Sequence, residues 1–305
     1  MYTIDTFHER GDTRRKALEV LSGGLLSAAV VAGAEPSGVR LVISEEVLRG
    51  VNRNDAAAAI GVWADEVSKA IGIRIEGRRV LRGSAEVQAG LEAGTVEVVC
   101  VTLLEYRRMA AHLDVAKVLS TSGGEVWMMV RQDSGVTTLS ELQGRRLVIH
   151  DNPYSQVADA WLTVAFAKEG LGKPEAVLGQ VTRQTRAAQA VLPVFFGQAD
   201  ACMTERRTVE TMSELNPQLA KRLKLLVATP RLLAAFLCCR KGNPPRWKEP
   251  LLAKLVSARE STSARQALAL FSALNFSMMD GEILRPSLAI LEAAERLGQG
   301  KRLGN

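Results

Sequence analysis

The stretch VEVVCVTLL, from Val96 to Leu104, carries apolar residues at nearly every position. A strand with one face in water alternates apolar and polar side chains, whereas a strand without that alternation is covered on both sides. Helices packed on the two faces of a parallel sheet supply such cover, so this run predicts an α/β chain.

The flanking sequence repeats the theme. VRLVIS (39–44) reads as a strand, and 54–72 as a helix with Asn54 at its cap and Ile60, Trp63, Val67 and Ile71 at helical spacing. RIEGRRVL (74–81) is a second strand, 84–94 a second helix ended by glycine, and GEVWMMVRQ (124–132) a strand followed by a turn and short helix over 134–142. The alternation then starts again. Strands are predicted at 145–150, 176–183, 198–204 and 224–230, with helices at 155–171, at 187–197 (broken by Pro193) and at 209–222. LLAAFLCCR (232–240) is a last long strand, and 248–296 is largely helical.

A length of 305 residues exceeds one typical core, and two such series predict two lobes. Lobe I is expected over 35–125 and 235–305, and lobe II over 126–234, inserted through crossing segments near 126–132 and 228–239. Ligands of open α/β sheets bind beyond the carboxyl ends of the strands, here across a cleft that closes by hinge motion.

Formal charge is +6, and the first 34 residues contribute nothing to it, with four basic (Arg10, Arg14, Arg15, Lys16) and four acidic residues (Asp5, Glu9, Asp12, Glu19). A mildly basic body suits an anionic ligand, while 5% aromatic content and the lack of a long Lys/Arg block argue against a nucleic-acid partner. Residues 1–34 combine a basic start with paired Arg14-Arg15, an apolar run from Val20 to Val31 and a small-residue exit at Ala32-Gly33-Ala34. That pattern is a cleavable export signal of twin-arginine or general secretory type, too short in its apolar run to anchor an integral membrane protein. The expected location is the periplasm. Cys100, Cys202, Cys238 and Cys239 lie in apolar runs with no metal-ligand spacing, so buried thiols are favoured over disulfides, and no metal or cofactor is expected.

The chemistry concentrates at DNPYSQ, Asp151 to Gln156, where a strand meets a helix. A helix starting there offers unpaired N–H groups and a partial positive charge to an oxyanion, and Pro153 suits its first turn. Asn152, Tyr154, Ser155 and Gln156 bring side-chain donors, Thr102 and Ser44 stand at strand ends, and Arg183 or Arg186 adds a guanidinium. Asn152 as a plain helix cap is the competing reading. His150 reads as a partly buried structural histidine, Asp200 as a sheet brace, and Glu205-Arg206-Arg207 as either a salt-bridged helix start or part of a clamp. No GxSxG, HExxH, P-loop or GxGxxG is present, and no third group orients His150 towards Ser155, so an enzyme is not expected.

The order of export signal, VEVVCVTLLEY, DSGVTTLSELQGRRLVIHDNPYS, AVLPVFFGQADACMTE and LKLLVATP resembles the phosphate/phosphite/phosphonate-type solute-binding proteins of ABC importers. The resemblance covers nearly all of the mature chain. It implies an α/β, two-lobe type II periplasmic binding fold, each lobe a mostly parallel sheet with helices on both faces. It further implies a monomer that captures a small anion for an inner-membrane ABC permease; a receptor subunit serving a membrane signalling protein is the alternative. The family's strand-end Tyr corresponds to Tyr106, its hydroxyl-rich anion loop to Asp151–Gln156, and the acidic residue that meets an amino group in phosphonate binders to Glu205. The chain departs from the pattern in keeping only Ser155 of three loop hydroxyls, with Tyr154 and Gln156 in place of the others, and in having Thr185-Arg186-Ala187 before the next helix.

Overall fold

The computed structural model describes residues 38–72, 74–76, 81–119, 123–242, 253, 257, 277–278 and 281–298. The export signal, and most of the helical stretch expected over 248–296, lie outside the described residues.

The first sheet contains β2 (Leu41–Ser44), β4 (Leu81–Arg82), β5 (Val98–Thr102), β6 (Leu113–Leu119), β12 (Ala235–Arg240) and β13 (Ser277–Met278), in the order β13-β6-β12-β5-β2-β4. β5, β2 and β4 are parallel, and β12, β6 and β13 run antiparallel to their neighbours. A two-stranded ribbon, β1 (Gly38–Val39) with β3 (Arg74–Ile75), stands beside it. The second sheet contains β7 (Val126–Arg131), β8 (Arg146–His150), β9 (Gln180–Gln184), β10 (Ala201–Glu205) and β11 (Leu223–Ala228), in the order β11-β7-β10-β8-β9. β10, β8 and β9 are parallel, and β7 and β11 are antiparallel. Each sheet therefore keeps a parallel half, built from strand–helix units, and an antiparallel half formed around the strand that the chain uses on changing sheets. β6 was not expected: Asp114 and Lys117 interrupt its apolar pattern, so its pairing with β12 and β13 identifies it as a strand.

Helices α1 (Arg53–Ile71), α2 (Ser84–Glu92) and α3 (Leu103–Met109) belong to the first series. Asn52, rather than Asn54, caps α1, accepting from the Asn54 and Asp55 N–H groups at 2.9 and 3.2 Å. The second series holds α4 (Ser155–Lys168), α5 (Pro174–Val177), α6 (Ala187–Phe195), α7 (Arg206–Leu215) and α8 (Pro217–Arg222), and α9 (Gly281–Arg296) ends the described chain. α6 continues through Pro193 instead of breaking, and the stretch 209–222 is split at Asn216, which caps α8 as α7 ends.

Cover on both faces explains the unbroken apolar runs. Met128, Val130, Leu147, Ile149, Ala201 and Met203 share a core with Val157, Leu162 and Phe166 of α4, whereas Met129, Val148 and Cys202 face Ala190, Val191 and Val194 of α6. The first core continues into Val99, Val101 and Phe236 of the first sheet. Burying a Leu- or Phe-sized side chain contributes about 1.5–3 kcal/mol, so each face contributes substantially to stability. All four cysteines are buried and in no disulfide, as expected, and Trp63 is buried in α1. No described helix is long and apolar enough to cross a membrane.

The two sheets are joined where the chain crosses between them. Gly124 and Leu232, on successive crossings, exchange backbone hydrogen bonds of 2.9 and 2.8 Å. Thr229 ties the same region to Val126 through both its N–H and its hydroxyl. α9, expected with lobe I, packs chiefly on α4 and reaches α3 through Arg107 with Glu292 and Glu295.

Candidate functional site

β2 and β5 end side by side in the first sheet, and β8, β9 and β10 end side by side in the second. From the first sheet come Ser44 at the end of β2, Thr102 at the end of β5 and Ser84 at the start of α2. All three hydroxyls turn to one buried carboxylate, Glu105. Ser44 Oγ and Ser84 Oγ donate to Oε1, while Thr102 N–H (2.9 Å) and Oγ1 (3.0 Å) donate to Oε2. The Thr102–Glu105 spacing is a capping box, which fixes the start of α3 and seats Glu105 beneath the strand ends.

From the second sheet come His150, Asp151, Asn152, Ser155 and Gln156. α4 begins at Ser155, and its first amides are already held: Asn152 Oδ1 accepts from the Tyr154 and Ser155 N–H groups at 2.9 and 3.2 Å. The Asn152 amide nitrogen donates to Glu205 Oε1 at 2.9 Å. One side chain thus holds the turn that leads into α4 and links it to the end of β10. Asn152→Ala is expected to cost about 1–2 kcal/mol of stability, as loss of an N-cap does. A urea titration within about 0.5 kcal/mol of wild type would show that the cap contributes nothing.

Around Asp151 the charges alternate. Arg49, which follows the turn after β2, reaches Asp151 Oδ2 at 3.2 Å and also pairs with Glu46. Arg183, on β9 and nearly buried, holds Asp159 Oδ2 at 2.6 Å and lies 3.8 Å from Asp151 Oδ1. Ser155 Oγ donates to Asp151 Oδ1 at 3.0 Å, and Gln156 Nε2 reaches Glu46 at 3.4 Å. Gln156 Oε1 is buried without a hydrogen-bond partner among the described residues. Two of these contacts, Arg49–Asp151 and Gln156–Glu46, cross from the first series of elements to the second.

Burial sets the titration of the third cluster. Desolvation pushes the Glu205 carboxyl up to about 7, opposed by the Arg207 charge. His150 lies 2.9 Å from Thr204 Oγ1, and its basicity is lowered by burial against a backbone contact with Thr185 and the Asp151 charge. Asp200 braces the sheet as expected, accepting from the Arg146 N–H and Nε at 2.8 and 3.0 Å.

The nine residues expected at the site therefore separate. Ser44 and Thr102 meet at Glu105, while Asn152, Ser155, Gln156 and Glu205 gather around the start of α4. Tyr154 is buried, with its hydroxyl where a Cβ on Gly124 would lie 3.3 Å away, so it packs on the crossing segment. Tyr106 stacks edge-to-face on Phe236 at 4.9 Å. Arg186 is exposed at the cap position of α6 with no side-chain cap bond. Arg49, Glu46, Ser84 and Glu105 were missed. Only Glu105 left a sequence signal, the Thr-x-x-Glu capping box after an apolar strand.

The chain matches the family model described as the ABC transporter, phosphonate, periplasmic substrate-binding protein over residues 49–282. By sequence, no curated protein matches it. Among solved structures it is similar to a Pseudomonas aeruginosa binding protein component of an ABC phosphonate transporter, at 12% identity and TM-score 0.59, covering 86% of this chain and 88% of that one. A Prochlorococcus marinus protein in complex with methylphosphonate aligns at 12% identity and TM-score 0.60 over 87% of this chain and 99% of that one. A Xanthomonas citri protein bound to ATP gives 17% identity and TM-score 0.61, with 86% and 98% covered. Likeness at these identities carries the fold, a two-lobe α/β binding protein.

Proposed function

Because the chain belongs to the phosphonate periplasmic substrate-binding family of ABC transporters, whose members bind substrate rather than convert it, we propose that it is exported by the signal read over 1–34 and captures a small oxyanion of the phosphonate, phosphite or phosphate class. It delivers that ligand to an inner-membrane ABC permease as a monomer, with lobe I (35–125 and 235–305) and lobe II (126–234) closing on it.

The observation that carries this reading is what the donors at the strand ends hold. Ser44, Ser84 and Thr102 converge on the Glu105 carboxylate, and Ser155, Arg49 and Arg183 converge on that of Asp151, so both sets have the geometry and polarity of an anion site. The buried Oε1 of Gln156 adds an acceptor, which suits a ligand that keeps one P–OH to donate. Binding shifts an open/closed equilibrium only by the ligand's differential affinity for the two forms.

Methylphosphonate, phosphite, phosphate and alkylsulfonates are the compounds to test by thermal shift on the mature chain. A ligand at a hundredfold excess over its dissociation constant adds about 2.7 kcal/mol and raises the melting temperature accordingly. Ser155→Ala should weaken that ligand without unfolding the chain. A melting temperature unmoved by every phosphorus and sulfur oxyanion would sink the proposal.

A further inference from the structure

Five charged side chains form a chain of alternating sign across the two halves of the molecule, Glu46–Arg49–Asp151–Arg183–Asp159. Asp151 is its centre: Arg49 from the first series and Ser155 from the second donate to it, and the Arg183 guanidinium of the second stands 3.8 Å from its Oδ1. Asp151 lies in the loop that leads into α4, where the proposed oxyanion is held. The carboxylate of Asp151 therefore occupies the position and hydrogen-bonding role of an anionic ligand while being part of the chain.

The local backbone supports this contact. Gly50, beside Arg49, adopts φ +86°, and a Cβ there would stand 3.2 Å from Thr185 O and 3.9 Å from Asp151 O. The turn after β2 is thus pressed directly against the loop after β8 and the end of β9. Only a residue without a side chain, tolerant of positive φ, lets the two backbones approach so closely. Gln156 Nε2 on Glu46 adds a second link between the same segments.

We propose that Asp151 is a tethered anion that sets the affinity and specificity of the site. Through Arg49 it draws the two halves together, and an incoming oxyanion binds by displacing its carboxylate from Arg49, Arg183 and Ser155. The displacement rests on the oxyanion reading given above; the closing role of the Arg49–Asp151 contact does not. A tether of this kind reduces apparent affinity by the fraction of molecules held in the self-bound form. Weak anions then fail to compete, and only a ligand that accepts from these donors more strongly than the resident carboxylate closes the protein around itself.

Paired spin labels on Val62→Cys and Leu215→Cys, both exposed and on opposite series, report the separation of the halves. The four native thiols are buried and do not take label. In the ligand-free mature chain, Arg49→Ala and Asp151→Ala are expected to lengthen the label distance relative to the parent. Asp151→Asn, which keeps the shape and loses the charge, should lengthen it in part and guards against misfolding of the alanine variant. Titration with methylphosphonate should give about tenfold tighter binding to Asp151→Ala than to the parent. Unchanged distances in Arg49→Ala and Asp151→Ala overturn the tether, whatever binds. Methylphosphonate bound equally or more weakly by Asp151→Ala overturns the displacement. Lengthened distances, with no variant binding methylphosphonate, phosphite or phosphate, would uphold the tether and remove the oxyanion reading instead.

Discussion

Glu105→Ala is expected to lower the unfolding free energy by about 3–5 kcal/mol, the largest effect of any single change at the strand ends. The carboxylate accepts from Ser44, Ser84 and both the N–H and hydroxyl of Thr102, and it is buried. Its removal leaves four donors from three elements without their acceptor, in a place that water enters poorly. It also removes the capping box that starts α3. Glu105→Gln separates the two losses: the amide keeps one acceptor for the cap but turns a donor towards donors, so an intermediate cost of about 2 kcal/mol is expected. Urea unfolding of both variants is the measurement, and a loss below about 1 kcal/mol in the alanine variant would show that the hydroxyls find other partners.

Glu205→Gln should stabilise the protein in a pH-dependent way. The carboxyl titrates at about 7 in the folded chain against an ordinary value of 4.5. Between these values the folded state binds more protons than the unfolded one, so stability falls as pH rises through the window from about 4.5 to 7, and the cost stays constant above it. Glutamine preserves the acceptor for Asn152 and carries no charge, so its advantage is near zero below pH 4.5 and reaches at most about 3 kcal/mol above pH 7. Residual solvent contact of the side chain places the observed gain below that ceiling. His150 acts in the opposite sense: its folded-state basicity is depressed, so its contribution is lost as pH falls below the ordinary histidine value. Comparing the variant with the parent at each pH cancels the histidine. A melting-temperature difference that does not change between acid and neutral pH would disprove the buried-carboxylate account.

Most of the architecture was legible because it rests on pattern. Runs such as VEVVCVTLL and RRLVIH have no polar face, and two helix-covered sheets follow from that alone. β6 escaped because Asp114 and Lys117 give a strand whose identity comes from its partners β12 and β13. At DNPYSQ, the sequence marked a strand-to-helix loop rich in polar groups but not the orientation of its side chains. Tyr154 looks like a donor in DNPYSQ, yet one residue before α4 its side chain turns into the core beside Gly124. Asn152 reads as ligand group or as cap, and in the structure it accepts from the Tyr154 and Ser155 N–H groups and donates to Glu205. Arg49 and Glu46 carried no signal, since a surface-like EEVLRG turn becomes important only through a loop 102 residues away.

The position of α9 also has a mechanical consequence. β13 lies in the first sheet and α9 against α4 of the second, so among the described residues the elements change halves three times: before β7, after β11 and between β13 and α9. Two of those passages are zipped together at Gly124 and Leu232. A pair of rigid plates joined at a zipped seam can fold like a book but has little freedom to slide or corkscrew, and a third tether removes still more of that freedom. The expected consequence is a narrow open ensemble, which surrenders less conformational entropy on each closure.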